Sequence, residues 1–209
     1  MATDIQVIDL GLTDYRQTWE LQRERRAQVQ AGAPEVIYIT EHKPVYTLGR
    51  RGHEENLLRL PAGTECIRIE RGGDITYHAP GQLVVYPIIN LHLHHLGVKD
   101  YVSALEEAVI STCGDYGIEA GRVEGATGVW LGIGTNRERK ICAMGFAVSR
   151  GVTMHGLALN VSLDLSGFQA INPCGFTDKA VTSIAQETGQ TPQMPEVKTR
   201  LVSHLKAML

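Results

Sequence analysis

Cys174 stands between Pro173 and Gly175 in the string INPCG, outside any periodic apolar pattern, so the chain offers a thiol at a constrained turn. A thiol with a reference pKa near ~8.5 is mostly protonated at neutral pH, and attack on a carbonyl needs a neighbouring cation or base. Lys140 is the candidate. It opens the run KICAMGF, whose period-2 alternation predicts a strand with Lys140 on the same face as Cys142, Met144 and Phe146. A lysine aimed at apolar neighbours loses hydration, which lowers its pKa and lets it take a proton from a thiol or an amine. The plainer alternative is a solvated lysine at a charged hairpin tip beside Arg137 and Arg139. Cys142, ~7 Å along the strand from Lys140, competes for the nucleophile role, whereas Cys113 and Cys142 both sit in patterns that suit core packing.

Residues 71–82, RGGDITYHAPGQ, are the second chemical stretch. Glycine lets backbone approach a ligand and take φ > 0, Pro80 stiffens the exit, and Asp74, Thr76, Tyr77 and His78 bring polar side chains among the backbone N–H groups. A bare turn between strands would explain a lone Gly-Gly, but not this length or density of functional groups. His78 and His155 could pair with Cys174 in a thiol-protease manner, yet neither stands in a protease context. His92, His94 and His95 lack a completed ligand spacing and read as a polar turn, so no metal is assigned.

The elements that must position these groups read as strands and flanking helices. Residues 5–10 suggest a first strand, and Thr13 or Asp14 can cap a helix to about Gln30. Residues 36–40 form a β-branched and aromatic run, 51–63 a loop or short helix and turn, and 66–70 and 83–91 two strands joined by the glycine segment. Pro87 argues for a bend or a sheet edge in the second of these. Residues 98–116 carry one apolar helical face with Gly117 placed to end it; 128–133 and 141–148 flank a hairpin turn; 152–163 follow as a strand pair or bent strand. Residues 166–176 are irregular, and 180–188 and 196–208 are expected as two closing helices.

At 209 residues and 22.9 kDa with 43% hydrophobic content, residues 1–209 are expected to form a single domain. Net charge −3 gives no general reason to expect nucleic acid, although Arg23, Arg25, Arg26, Arg50 and Arg51 can meet an acidic protein or simply be solvated. No apolar run approaches the ~20 residues that cross a bilayer, and the start MATDIQVIDL lacks signal-peptide character, so a soluble, cytoplasmic protein is expected. Four scattered cysteines without a C-x-x-C pair suggest neither a zinc site nor a disulfide framework.

The string RGGDITYHAPGQLVVYPI resembles the signature of the lipoyl(octanoyl) transferase family, with Ala79 at a position where that family usually has glycine and Asp74 at a variable one. HKPVYTLG at 42–49, with Lys43 replacing a proline, KICAMGFAV at 140–148 and INPCGF at 171–176 extend the resemblance over most of the chain. It implies a mixed α/β fold of the biotin and lipoate protein ligase type, and a catalytic dyad of Cys174 and Lys140. It assigns substrate contacts to Arg71, Gly72, Gly73, Asp74, Ile75, Thr76, Tyr77 and His78, to Ala143, Met144 and Gly145, and to Gly156, Leu157 and Ala158. Small residues there leave room for a straight acyl chain, and free N–H groups near the glycines are expected to hold a thioester oxygen.

The activity implied is transfer of an octanoyl group from octanoyl-acyl carrier protein, through a thioester on Cys174, to a lysine of apo lipoyl domains of 2-oxoacid dehydrogenase E2 subunits or of glycine cleavage H protein. No cofactor, nucleic acid or membrane is expected, and a monomer is. Two other readings are an ATP-dependent lipoate or biotin protein ligase, which does not need the dyad, and a non-catalytic acyl-carrier-binding module.

Overall fold

The structure, a computed structural model, describes residues 5–172 and 180–209. In chain order its elements are β1 (Gln6–Thr13), α1 (Tyr15–Gln30), β2 (Val36–His42), β3 (Val45–Leu48), β4 (Cys66–Arg68), β5 (Ile75–His78), β6 (Gln82–Ile88) and α2 (Val98–Gly114). They continue with β7 (Gly121–Val123), β8 (Ala126–Leu131), β9 (Arg139–Ser149), β10 (Val152–Asn160), β11 (Ala180–Val181), α3 (Ile184–Thr188) and α4 (Met194–Met208). The main sheet runs β1-β2-β6-β10-β9-β8-β7, with β11 added to β9, and a smaller sheet runs β4-β3-β5. β1 and β2 are parallel, β11 and β9 are parallel, and the remaining pairs of the main sheet are antiparallel. The expected mixed α/β architecture is therefore present.

Strand alternation divides the core. On β6, Leu83 and Val85 join Tyr101, Leu105, Val109 and Cys113 of α2 and Val197, Leu201 and Leu205 of α4, while Val84 and Tyr86 join Val29 of α1 on the opposite face. Local signals set the helix ends. The Asp14 side chain accepts from the Arg16 and Gln17 N–H groups to start α1, and Gly117 at φ 71° follows the end of α2.

Three expectations change. Residues 180–188 are not one helix: Ala180 and Val181 pair with Arg139 and Lys140, and α3 starts only after Ser183 caps it through Gln186 N–H. The glycine segment is not a plain connection, because its residues 75–78 form β5 and pair with β3 in the smaller sheet. Pro87 is at no edge, since β6 lies between β2 and β10.

Lacking an N–H, Pro87 cannot continue the ladder to β10, and the β6–β10 register pairs end at Leu157 and Val85. His155 takes φ 62°, and pairing resumes through Thr153, whose N–H reaches Ile89 O at 2.9 Å and whose hydroxyl donates to Pro87 O at 2.7 Å.

Candidate active site

The sheet face beneath the glycine-rich loop lines a cavity of about 740 Å³. Its floor is a set of rows across three strands. Val84, Ala158 and Ala143 are register partners; Tyr86, Gly156 and Gly145 follow one row further, about 7 Å on. The glycines are required by closeness. A Cβ on Gly145 would stand 2.6 Å from the Gly72 carbonyl oxygen, and one on Gly156 would overlap the carbonyl of Val85.

Arg71 and Asp74 shape the loop above this floor. The Arg71 guanidinium donates to the carbonyls of Gly72 at 2.8 Å, Thr47 at 3.1 Å and Asp74 at 2.6 Å. The Asp74 carboxylate accepts from Ile75 N–H at 2.7 Å and Asn56 Nδ2 at 2.5 Å. Gly72 donates its N–H to Phe146 O at 3.0 Å, so this amide is not free to hold a substrate oxygen as the sequence suggested. Arg71, Gly72, Gly73, Asp74, Ile75, Thr76 and His78 all line the cavity, as do Ala143, Met144, Gly145, Gly156, Leu157 and Ala158. Tyr77 does not: its position in β5 points it the other way, against Tyr46 and Phe168, with ring centroids 4.9 and 5.6 Å apart.

Lys140 lies at one end of the cavity, and by a different route from the one the alternation implied. Val129 pairs with Cys142 and Trp130 with Lys140, so β9 carries one extra residue at this point. The bulge shifts the alternation by one, and Lys140 lines the cavity with Ala143, while Cys142 packs in the main core beside α2. Its amine donates to Thr127 O at 3.3 Å and sits 4.5 Å from the centroid of the Trp130 ring. Burial drives the Cys142 thiol well above the ordinary thiol range, and Cys113 up to about 12, which removes both as nucleophiles. Cys174 falls outside the described residues, but both chain ends that flank it are held at this cavity. Asn172 donates its N–H to the carbonyl of Asn56, a lining residue, and Thr182 donates its own to Lys140 O.

Beneath the loop lies a buried polar cluster. His78 donates from Nδ1 to Gln82 Oε1 at 2.7 Å, and Gln82 Nε2 donates to Asn160 Oδ1, whose amide donates to Thr182 O at 2.9 Å. His42 Nε2 meets Tyr86 OH at 2.7 Å and its Nδ1 meets Thr13 Oγ1 at 3.1 Å. Burial lowers His42 to about 4 and His78 to about 3, so both are neutral at physiological pH. His155 sits opposite Phe146, six residues along β9 from Lys140, or roughly 20 Å at the usual strand rise.

The histidines at 92–95 do a different job. His94 meets Glu35 Oε2 at 2.6 Å and Leu209 O at 2.7 Å. Among the described residues, no group of three or more His, Cys, Asp and Glu side chains is arranged to hold a metal.

The profile of the lipoyl protein ligase A/B catalytic domain matches residues 14–206. An octanoyltransferase of Bacteroides thetaiotaomicron is 53% identical over 214 residues, covering 97% of this chain and 94% of the relative. The chain belongs to the octanoyltransferase family. Within that wider catalytic-domain class, the fold of this octanoyltransferase family member is similar to a crystal structure of lipoate-protein ligase A bound with ATP (TM-score 0.76, 17% identity, 98% of this chain and 85% of the other). It is similar also to apo biotin protein ligase from Aquifex aeolicus (TM-score 0.54, 10% identity, 98% and 68%). At such identities the likeness concerns the fold, and it agrees with the ligase-type architecture expected from the sequence.

Tyr15, Val84, Tyr86, Asn160 and residues 125–127 also line the cavity and were not singled out from the sequence. Val84 and Tyr86 carried a signal, because alternate residues of a buried run share a face. Tyr15 and residues 125–127 carried none. No helix among the described residues is long and apolar enough to cross a membrane.

Proposed function

We propose that the cavity holds the octanoyl chain of a carrier-bound thioester and that Cys174 and Lys140 pass this chain to a lysine of an apo lipoyl domain. One observation carries the reading: a floor of Val84, Ala158, Ala143, Gly156 and Gly145 runs straight from Lys140, while the segment with Cys174 is anchored on either side to Asn56 and Lys140. Cys174 follows Asn172 by two residues in the sequence.

In the first half-reaction the Lys140 amine takes the Cys174 proton, and the thiolate attacks the thioester carbonyl carbon. The carbon–sulfur bond to the carrier breaks, the octanoyl group becomes a thioester on Cys174, and the departing thiolate takes the proton back from the Lys140 ammonium. In the second, the acceptor lysine amine attacks that thioester and gives a proton to Lys140 as the amide forms and the Cys174 thiolate leaves. The thioester donor already carries the free energy needed, so no nucleotide enters. The donor is octanoyl-acyl carrier protein, and the acceptors are lipoyl domains of 2-oxoacid dehydrogenase E2 subunits and glycine cleavage H protein. One monomeric domain of 209 residues in the cytoplasm suffices for both halves.

The test is a reconstituted transfer with octanoyl-acyl carrier protein and an apo lipoyl domain, with and without ATP. Octanoylated lipoyl domain without nucleotide is expected. Product only from free octanoate and ATP selects the ligase reading, and carrier binding without product selects the binding module.

A further inference from the structure

Glu106, on α2, is 8% exposed, and both oxygens of its carboxylate are engaged. Oε2 accepts from Arg122 Nε at 3.1 Å, and Oε1 accepts from the buried Gly128 N–H at 3.0 Å. The N–H of Gly128 and the carbonyl of Thr127 belong to a single peptide group, and that carbonyl accepts from the Lys140 amine at 3.3 Å. In a planar trans peptide the N–H and C=O point in opposite directions, so Glu106 and Lys140 hold one rigid unit from its two sides. A buried carboxylate persists only where its partners compensate it, and here one partner is a main-chain amide beside the cavity.

The peptide is closely confined. Gly128 takes φ 119°, and a Cβ there would stand 2.5 Å from the Cys142 carbonyl oxygen and 3.6 Å from Lys140 Cε, so β8 approaches β9 with no side chain between them. The extra residue of β9 follows at once, between the pairs Val129–Cys142 and Trp130–Lys140. Where a bulge interrupts the ladder the strands no longer fix each other, and an acceptor from α2 takes over that role.

We infer that Glu106 is a positioning residue, which holds the Thr127–Gly128 peptide so that its carbonyl keeps the Lys140 amine aimed into the cavity. The inference rests on the reading of Lys140 as the base. Glu106 is not among the residues that line the cavity, and it acts through the peptide. What matters is an acceptor at the Gly128 N–H rather than the charge itself. When Lys140 takes a proton, the same carbonyl accepts from the ammonium, and that contact grows stronger.

The experiment measures kcat and KM for octanoyl transfer from acyl carrier protein to an apo lipoyl domain in two opposed variants. Glu106→Asp keeps the charge and the flexible Arg122 partner, but is one methylene too short for the Gly128 N–H. Glu106→Gln loses the charge and keeps an oxygen in reach, while Arg122 retains Glu107 and the Ser103 carbonyl. Glu106→Asp is expected to lower kcat at least about fivefold with KM within about twofold, and Glu106→Gln to stay within about threefold of wild type in both. On a Lys140→Met background, Glu106→Asp is expected to cost less than about twofold more, because its effect passes through the missing amine. A smaller loss in Glu106→Asp, a larger one in Glu106→Gln, or a further loss of about twofold or more without Lys140 overturns the inference. If the shorter side chain does not fold, Glu106→Gln decides alone. A Lys140→Met enzyme near the wild-type rate would instead strike the reading of Lys140 as the base.

Discussion

Thr182 donates its backbone N–H to the carbonyl of Lys140 across 3.0 Å, and Val181 is the register partner of Lys140. Residues 180–182 are thereby fixed to the strand that carries the amine. Asn160 strengthens the tie through Thr182 O, and Glu187 does so through the Thr182 hydroxyl and Arg139. Asn172, before Cys174 in sequence, and Val181 and Thr182, after it, are thus both held by main-chain pairing to residues that line the cavity.

Lys140→Met is expected to lower kcat for octanoyl transfer by about 10²- to 10⁴-fold, the usual weight of a positioned base. Lys140→Arg does not restore the rate, because a guanidinium keeps its proton at neutral pH. Loss of the Lys140 contact with the Trp130 face costs only about 0.5–1 kcal/mol, so thermal melting is nearly unchanged. A Lys140→Met enzyme within threefold of wild type in kcat would remove the base from this position.

Gly156→Ala places a methyl against the Val85 carbonyl in the middle of the main sheet. Overpacking there is expected to cost at least about 1–3 kcal/mol, read as a lower urea midpoint with an unchanged slope. The same methyl narrows the cavity floor, so octanoyl transfer falls more than the stability change explains. An unchanged midpoint would show that β6 and β10 are not as close at this point as described.

Acid stability follows from the buried histidines. His42 and His78 are held neutral by burial, with folded values near 4 and 3 against an ordinary value near 6.5. Because the unfolded chain binds these protons more readily, the stabilisation is present in full above about pH 6.5 and is lost as pH falls toward 4 and 3. The loss amounts to on the order of 3 kcal/mol per histidine. Urea titrations at pH 7, 5.5 and 4 are expected to show a falling midpoint, and His42→Gln should flatten part of that slope. A midpoint independent of pH over this range contradicts the assignment.

Local signals were legible where residues act through their own neighbours. The Asp14 cap, the stripe of α2, Gly117 and the hairpin at 128–148 are all read from sequence spacing, and the structure places them accordingly. What escaped depends on partners remote in sequence. The bulge that turns Lys140 away from the face of Cys142 is set by Val129 and Trp130 across the ladder. Ala180 and Val181 look helical by composition but are claimed by an open edge of β9. Tyr77 was grouped with its cavity-lining neighbours because the motif is contiguous, yet β5 alternates and sends it to Phe168. Pro87 suggested a bend or a sheet edge, whereas β6 lies inside the sheet between β2 and β10, a placement that only the sheet order reveals.

The most direct test of the central claim is intact-mass spectrometry of the protein after mixing with octanoyl-acyl carrier protein in the absence of an acceptor. The account predicts a mass gain of one octanoyl group, mapped to Cys174, lost on hydroxylamine treatment and absent from Cys174→Ala. An unmodified protein that nevertheless transfers octanoyl groups, or a Cys174→Ala variant with full activity, would contradict it.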